Sequence, residues 1–281
     1  MVERLRVCVF VCFFVAAGTP EARAQQDGQA AAAAVQDDEE TTLPVMVMLI
    51  GSGARFRNIH LDVGDGSGAT ESRTFDTGAY FDLGWHLFIR PAARRSPRQS
   101  IQAIGIQIDG GSGIGLEVQP AGTGISLQTN TWRLLGQFAY LYPVDRLQFG
   151  GLIGVGGDVL SIDLNSVLPP SRIIYVRLGP AVAYNIVPDF LGIRADFGLR
   201  IPFFLGGLDD TYGKDSSGVG ADATLTFEGR VPAGFTYGFR FIWEYYRLRF
   251  RGPTTPVPAM GDGAVGSDHA VTFQFLFGWS L

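Results

Sequence analysis

The chain ends Val271-Thr272-Phe273-Gln274-Phe275-Leu276-Phe277-Gly278-Trp279-Ser280-Leu281. Val271, Phe273, Phe275, Phe277, Trp279 and Leu281 share one parity, while Thr272, Gln274, Gly278 and Ser280 share the other. Successive side chains of a β-strand point to opposite faces, so the stretch predicts a strand with one aromatic, apolar face. Left as an open edge in water, such a strand would template pairing with other chains. The reading that fits is a strand whose edge is paired and whose apolar face meets lipid.

The same alternation, broken by clusters of Gly, Pro, Asp and Ser, recurs from Val45 onward. It predicts ten strands, at 45–57, 74–89, 99–109, 126–142, 146–159, 172–187, 190–201, 221–228, 235–250 and 269–281. Connections after the second, fourth, sixth and eighth strands are short: Arg90 to Arg98, Pro143 to Asp145, Pro188 to Asp189 and Gly229 to Gly234. Those after the odd-numbered strands are longer, as in Asn58 to Arg73 and Arg251 to Asp268. Short turns at one end, long loops at the other and an even strand number form the pattern of a membrane-spanning barrel.

Residue type assigns the faces. In the second strand Phe81, Leu83, Trp85, Leu87 and Ile89 oppose Asp76, Tyr80, Asp82 and His86; in the seventh, Leu191, Ile193, Phe197 and Leu199 oppose Arg194, Asp196 and Arg200. The ninth sets Phe235, Tyr237, Phe239, Phe241 and Trp243 against Thr236, Gly238, Arg240 and Glu244. A lipid-facing Arg or Lys at the bilayer midplane costs roughly 2–4 kcal/mol, so the polar faces point inward. Alternation alone would also suit a soluble barrel with the faces reversed. Two aromatic belts favour the membrane: Trp85, Tyr140, Tyr142, Tyr184, Tyr237 and Trp279 near the short turns, and Trp132, Trp243 and Tyr245 near the long loops. In the first strand Val45, Val47 and Leu49 share parity with Arg55 and Arg57, which predicts a bulge or another register.

From Val45 to Leu281 the chain resembles the small bacterial outer-membrane β-barrel proteins, through its topology, its aromatic girdles and its terminal strand. Where that family's terminal signal prefers a final Phe and an earlier Gly, this chain has Leu281 and Leu276. The resemblance implies an all-β fold, a closed antiparallel transmembrane β-barrel of about ten strands, within a range of eight to twelve. It also implies residence in the bacterial outer membrane. Outer-membrane lipid, lipopolysaccharide and the barrel assembly machinery are the implied partners, with a monomer favoured.

Met1 to Ala24 predicts a signal peptide, with Arg4 and Arg6, an apolar run from Val7 to Ala17, and Ala22-Arg23-Ala24 as a small-x-small cleavage site. Residues 25–43 form an Ala/Gln/acidic lead containing Asp37 to Glu40, too polar to fold, and 44–281 form the barrel. Both cysteines, Cys8 and Cys12, fall inside the signal, as suits passage through an oxidising periplasm. Without residues 1–24 the chain keeps 19 basic and 25 acidic residues, which argues against nucleic acid as a partner.

Candidate chemistry is sparse. Arg133, Arg177, Arg194, Arg200 and Arg240 are expected inside, opposite Asp82, Asp158, Asp196, Asp222, Glu228 and Glu244. They form either a structural ion-pair network or the lining of a narrow conduit, and the many inward glycines would leave room for water. Ser267, Asp268 and His269 are the candidates for a rim hydrolase acting on lipid A or, as in omptin proteases, on peptides. His86 reads as a hydrogen-bonded lumen residue. Asp62 to Gly68 lacks the ligand spacing of a calcium loop, Asp209-Asp210 sits in a long loop, and Gly151 to Gly157 has no following helix to cradle a phosphate. Arg90, Arg94, Arg95 and Arg98 form a basic turn that either meets anionic headgroups at the periplasmic side or is simply solvated. No catalytic, cofactor-binding or metal-binding residue is assigned and no cofactor is expected. The expected role is structural or surface-interacting through the long loops, with a narrow porin-like channel and a rim enzyme as alternatives.

Overall fold

Alternation from Val45 onward becomes a single closed sheet. The computed structural model describes residues 43–64, 70–93, 98–118, 127–162, 169–187, 190–213, 215–251 and 264–281. The expected signal and nearly all of the acidic lead lie outside the described residues. The strands are β1 (Met46–Gly64), β2 (Thr70–Ile89), β3 (Ile104–Val118), β4 (Leu127–Val144), β5 (Leu147–Ile162), β6 (Ser171–Val187), β7 (Leu191–Gly206), β8 (Ser217–Arg230), β9 (Phe235–Phe250) and β10 (Ala264–Ser280). Each pairs antiparallel with its chain neighbours, and β10 closes the ring against β1 from Val47↔Ser280 to Val63↔Ala264. Backbone pairing continues past the strand, the Val45 N–H donating to the Leu281 carbonyl at 2.7 Å. The edge anticipated for the terminal strand is therefore satisfied by the first.

Short connections join strands at one end, two residues between β4 and β5 and four between β8 and β9. Asp145, at φ 53°, makes the tight reversal between β4 and β5, and a 3₁₀ turn at Pro232–Gly234 joins β8 to β9. The connection after β2 is longer than expected, and a short helix, α1 (Gln99–Gln102), occupies the predicted start of the third strand. There the Arg98 carbonyl accepts from the N–H groups of both Ile101 and Gln102, so the apolar spacing of Ile101 and Ile104 belongs to a helical turn followed by a strand.

At the opposite end the strands run further than expected. β1 continues to Gly64 and β2 begins at Thr70, so most of the predicted loop from Asn58 to Arg73 is sheet. Strand lengths of 14 to 20 residues exceed the roughly 9–11 needed to cross a bilayer. The barrel wall therefore stands above the membrane as a collar. A short helix, α2 (Gly207–Tyr212), follows β7 at this end, so Asp209 and Asp210 are helical rather than in an open loop.

The irregularity expected in β1 lies across from it. Arg57 faces Thr77 and Gly78 of β2, where the register slips between Phe56 and Asn58. Gly78 takes φ 59°, a left-handed conformation that suits glycine, and the Thr77 hydroxyl donates to the Arg57 carbonyl at 3.1 Å while the Arg57 N–H donates to Thr77 Oγ1 at 3.0 Å. The bulge turns Phe75 inward and Asp76 outward, reversing the face expected for Asp76. β1 itself is regular: Val47, Leu49, Arg55 and Arg57 share one parity because all four point inward.

Around its middle the barrel presents an apolar outer surface. Phe138, Ile153, Phe275 and Trp279 are each exposed by more than half, and Trp85, Trp132, Tyr140, Tyr184 and Tyr237 flank them as the two girdles require. Arg177, Arg200, Asp82, Asp222 and Glu244 are buried on the inner face. No helix of the described residues is long and apolar enough to cross a membrane. The crossing is made by strands.

Candidate functional site

The inner residues of β1, taken from the short-turn end, run Val47, Leu49, Gly51, Gly53, Arg55, Arg57, Ile59, Leu61, Val63. That order is a transect of the lumen. Val47 and Leu49 belong to an apolar cluster near the short turns, with Phe88, Leu141, Leu152 and Leu276. Leu276 stands where the family's terminal signal prefers glycine, and here its side chain packs the inner end of the lumen. Ile59, Leu61 and Val63 belong to a larger apolar cluster inside the collar, with Phe75, Leu160, Ile173, Leu205, Leu248 and Phe250.

Between the two lies a belt of paired charge. Arg177 binds Asp196 and Asp222 at 2.5 Å each and donates to Gln137 at 3.0 Å. Arg200 reaches Asp222 at 2.5 Å, Glu244 at 2.9 Å and Asp158 at 3.2 Å, and donates to the Tyr246 hydroxyl at 2.7 Å. Arg55 pairs with Glu244 at 2.7 Å, Arg133 with Asp82 at 2.6 Å, Arg240 with Asp109 at 3.0 Å, and Arg57 with Asp268. Most partners sit on an adjacent strand or the one beyond it, and Arg240 of β9 with Asp109 of β3 spans the ring, so the belt ties the wall across its interior. An isolated buried charge is costly while a paired, hydrogen-bonded one is tolerated, which explains the near-even count of signs.

The inward glycines make room for these side chains. A Cβ on Gly198 would lie 2.4 Å from Arg177 Nε, one on Gly111 would lie 2.6 Å from Arg133 Cζ, and one on Gly156 would lie 2.5 Å from Tyr175 Cζ. At these three sites a guanidinium or ring fills the space that was expected to hold water.

At the collar, α2 lowers Leu208 and Tyr212 into the apolar cluster, both at most 4 % exposed. The Tyr212 ring meets Phe250 at 5.8 Å between centroids, and its hydroxyl is hydrogen-bonded to Arg73, which Glu71 holds at 2.9 Å. Burial pushes the Tyr212 phenol up, keeping it neutral while its oxygen accepts from Arg73. Arg200 lies over the Tyr175 and Tyr246 rings, 4.5 and 5.5 Å from their centroids, and so joins the belt to the collar core.

The rim candidates do not converge. Asp268 points inward to Arg57, whereas Ser267 and His269 lie on the outer face, and the Trp243 indole N–H donates to His269 Nε2 at 2.7 Å. His86 is a lumen residue whose Nδ1 lies 2.7 Å from Asp109. His60 stands on the outer wall between Thr74 and Asp62. Gly151 to Gly157 is strand interior in β5. Among the described residues no group of three His, Cys, Asp or Glu is placed to hold a metal ion. Arg90 turns into the barrel mouth and donates to Gln148 at 2.6 Å, so it is buried rather than facing headgroups or solvent as expected; Arg94 and Arg95 lie outside the described residues. Sequence reasoning left Arg55, Arg57, Asp109 and Asp268 off the inner face. The signal was their parity, Asp109 with Gln107 and Asp268 with Thr272 and Gln274.

No protein-family model matches the chain, and no curated protein does. Solved structures match its fold. The outer membrane protease OmpT of Escherichia coli is 9% identical, with 84% of this chain and 96% of that one covered, at a TM-score of 0.50. OprG of Pseudomonas aeruginosa is 12% identical, covering 86% and 98% at a TM-score of 0.38. An outer membrane channel of Pseudomonas putida F1 is 11% identical, covering 86% and 99% at 0.35. At such identities the likeness is one of fold, a bacterial outer-membrane β-barrel. That fold, together with the lipid-facing band and its girdles, sets the chain in the outer membrane.

Proposed function

We propose that this protein is a closed barrel that acts through its extracellular collar and loops rather than by passing a solute through its lumen. One observation carries the reading: the lumen is filled in sequence by an apolar layer, a cross-linked charged belt and a second apolar layer capped by α2. A porin-type path needs a continuous wet lining, and the collar core opposes one because its inner faces carry Ile59, Leu61, Ile173 and Phe250. The outer wall of the collar is polar, with Asn58, His60 and Asp62 on β1 and Arg247, Arg249 and Arg251 on β9 and just beyond it. These three arginines stand directly above Trp243 and Tyr245 of the outer girdle, a position suited to the phosphates of lipopolysaccharide, the lipid partner we propose.

Planar-bilayer recording tests the closed lumen. The intact protein should give no steady conductance, and sustained, ion-selective steps from it would overturn this reading in favour of a channel.

A further inference from the structure

Among the described residues ten arginines are buried or half-buried toward the barrel interior, and eight have a carboxylate partner. The other two, Arg90 and Arg194, meet at the mouth of the barrel on the short-turn side. Their guanidinium carbons lie 4.6 and 5.2 Å from the centroid of the same Phe88 ring, so two like charges share one aromatic side chain. Each donates to a neutral amide, Arg90 to Gln148 at 2.6 Å and Arg194 to Gln107 at 2.5 Å. The Nε–H of each is buried without an acceptor among the described residues. Arg90 is 5 % exposed.

Both line a cavity of about 70 Å³, together with Glu228 and Arg230. Glu228 is the one carboxylate in that lining, and its ion pair is with Arg230, at 3.8 Å. Among the described residues, the pocket lining therefore carries two more positive charges than negative ones, around a space several times larger than one water needs. Leaving a buried charge unpaired is destabilising, which makes the arrangement expensive as architecture alone. Burial, Arg194 and Arg230 together pull the Arg90 guanidinium down to about 9 against the opposing influence of Glu228, the direction expected where cations outnumber the anions beside them. Guanidinium forks match the geometry of carboxylate and phosphate oxygens, and desolvated Nε–H donors are the groups such an oxygen would satisfy.

We propose that Arg90 and Arg194 form a binding site for a small oxyanion, a carboxylate or phosphate, at the periplasmic mouth of the barrel. The site is separate from the collar and does not depend on the closed-lumen reading.

The test is calorimetric titration of the full chain, refolded in a nonionic detergent without lipid, with inorganic phosphate at fixed ionic strength, so that headgroup phosphate cannot be the source. Saturable binding of one phosphate per chain is expected. Arg194→Gln, on the half-buried partner, should weaken it by about tenfold or more. Arg146→Gln, an exposed cation at the same end of the barrel, should leave it unchanged. Migration on a gel before and after boiling checks that each variant is folded. If Arg194→Gln does not fold, Arg194→Lys takes its place and should bind more weakly than the parent. No saturable binding to the parent, or equal weakening by Arg146→Gln, would overturn the proposal.

Discussion

Along β1 the membrane-level half and the collar half of this barrel are opposites. At membrane level Ile50 and Phe56 face out and Arg55 and Arg57 face in; from the next residue on, Asn58, His60 and Asp62 face out and Ile59, Leu61 and Val63 face in. β9 repeats the switch, from Phe241 outside and Glu244 inside to Arg247 and Arg249 outside and Leu248 and Phe250 inside. The strands and their register continue through the change. The apolar face follows whichever medium is less polar, lipid outside in one half and the barrel's own core in the other. One sheet thus contains a membrane barrel with a charged lumen and a water-soluble barrel with an apolar core.

The largest effect should come from the charged belt. Arg200→Ala would leave Asp158 without its cation, take one of two cations from Asp222 and Glu244, and cost about 3–5 kcal/mol. Urea unfolding of protein refolded into vesicles measures this, and a loss below about 1 kcal/mol would show that the belt does not hold the wall together. Next comes the lipid face: Phe275→Arg, more than half exposed at mid-strand on β10, should cost roughly 2–4 kcal/mol and block insertion, read by loss of the boiling-dependent gel shift. In the collar core, Val63→Thr keeps nearly the same shape but buries a hydroxyl, and should cost about 1–3 kcal/mol by the same urea measurement. Smallest is His60→Arg, which adds the charge forbidden at Phe275 to the outward face of the collar; it should stay within about 0.5 kcal/mol of the parent. Similar losses for Phe275→Arg and His60→Arg would erase the comparison.

Much of this architecture was legible in the sequence, and the rest was missed for two reasons. Strand number, closure and the lipid band followed from alternation, as in Phe273, Phe275 and Phe277, because a mid-membrane strand has one face that tolerates no charge. The collar was read as loop because Asn58, His60, Asp62 and Gly64 look like solvent-exposed breakers, although Ile59, Leu61 and Val63 alternate with them. Polar residues on the outside of a strand and in a loop are chemically alike; only the companion parity separates them. The bulge at Thr77 and Gly78 hid the inward turn of Phe75 in the same way. The ion-pair belt was anticipated by residue type, but its pairings, such as Arg240 with Asp109, join positions distant in sequence and depend on which strands face each other across the ring. The arginine pair at the mouth was invisible for that reason also, since Arg90 and Arg194 meet only over Phe88.

The inversion itself can be measured along one strand. Spin labels placed singly at Ile50, Ala54, His60, Asp62 and Leu61 of protein in vesicles would be read for collisions with oxygen, which concentrates in lipid, and with a water-soluble nickel complex. The account predicts oxygen contact at 50 and 54, nickel contact at 60 and 62, and little of either at 61. Oxygen contact continuing through 60 and 62, or free nickel contact at 61, would contradict it.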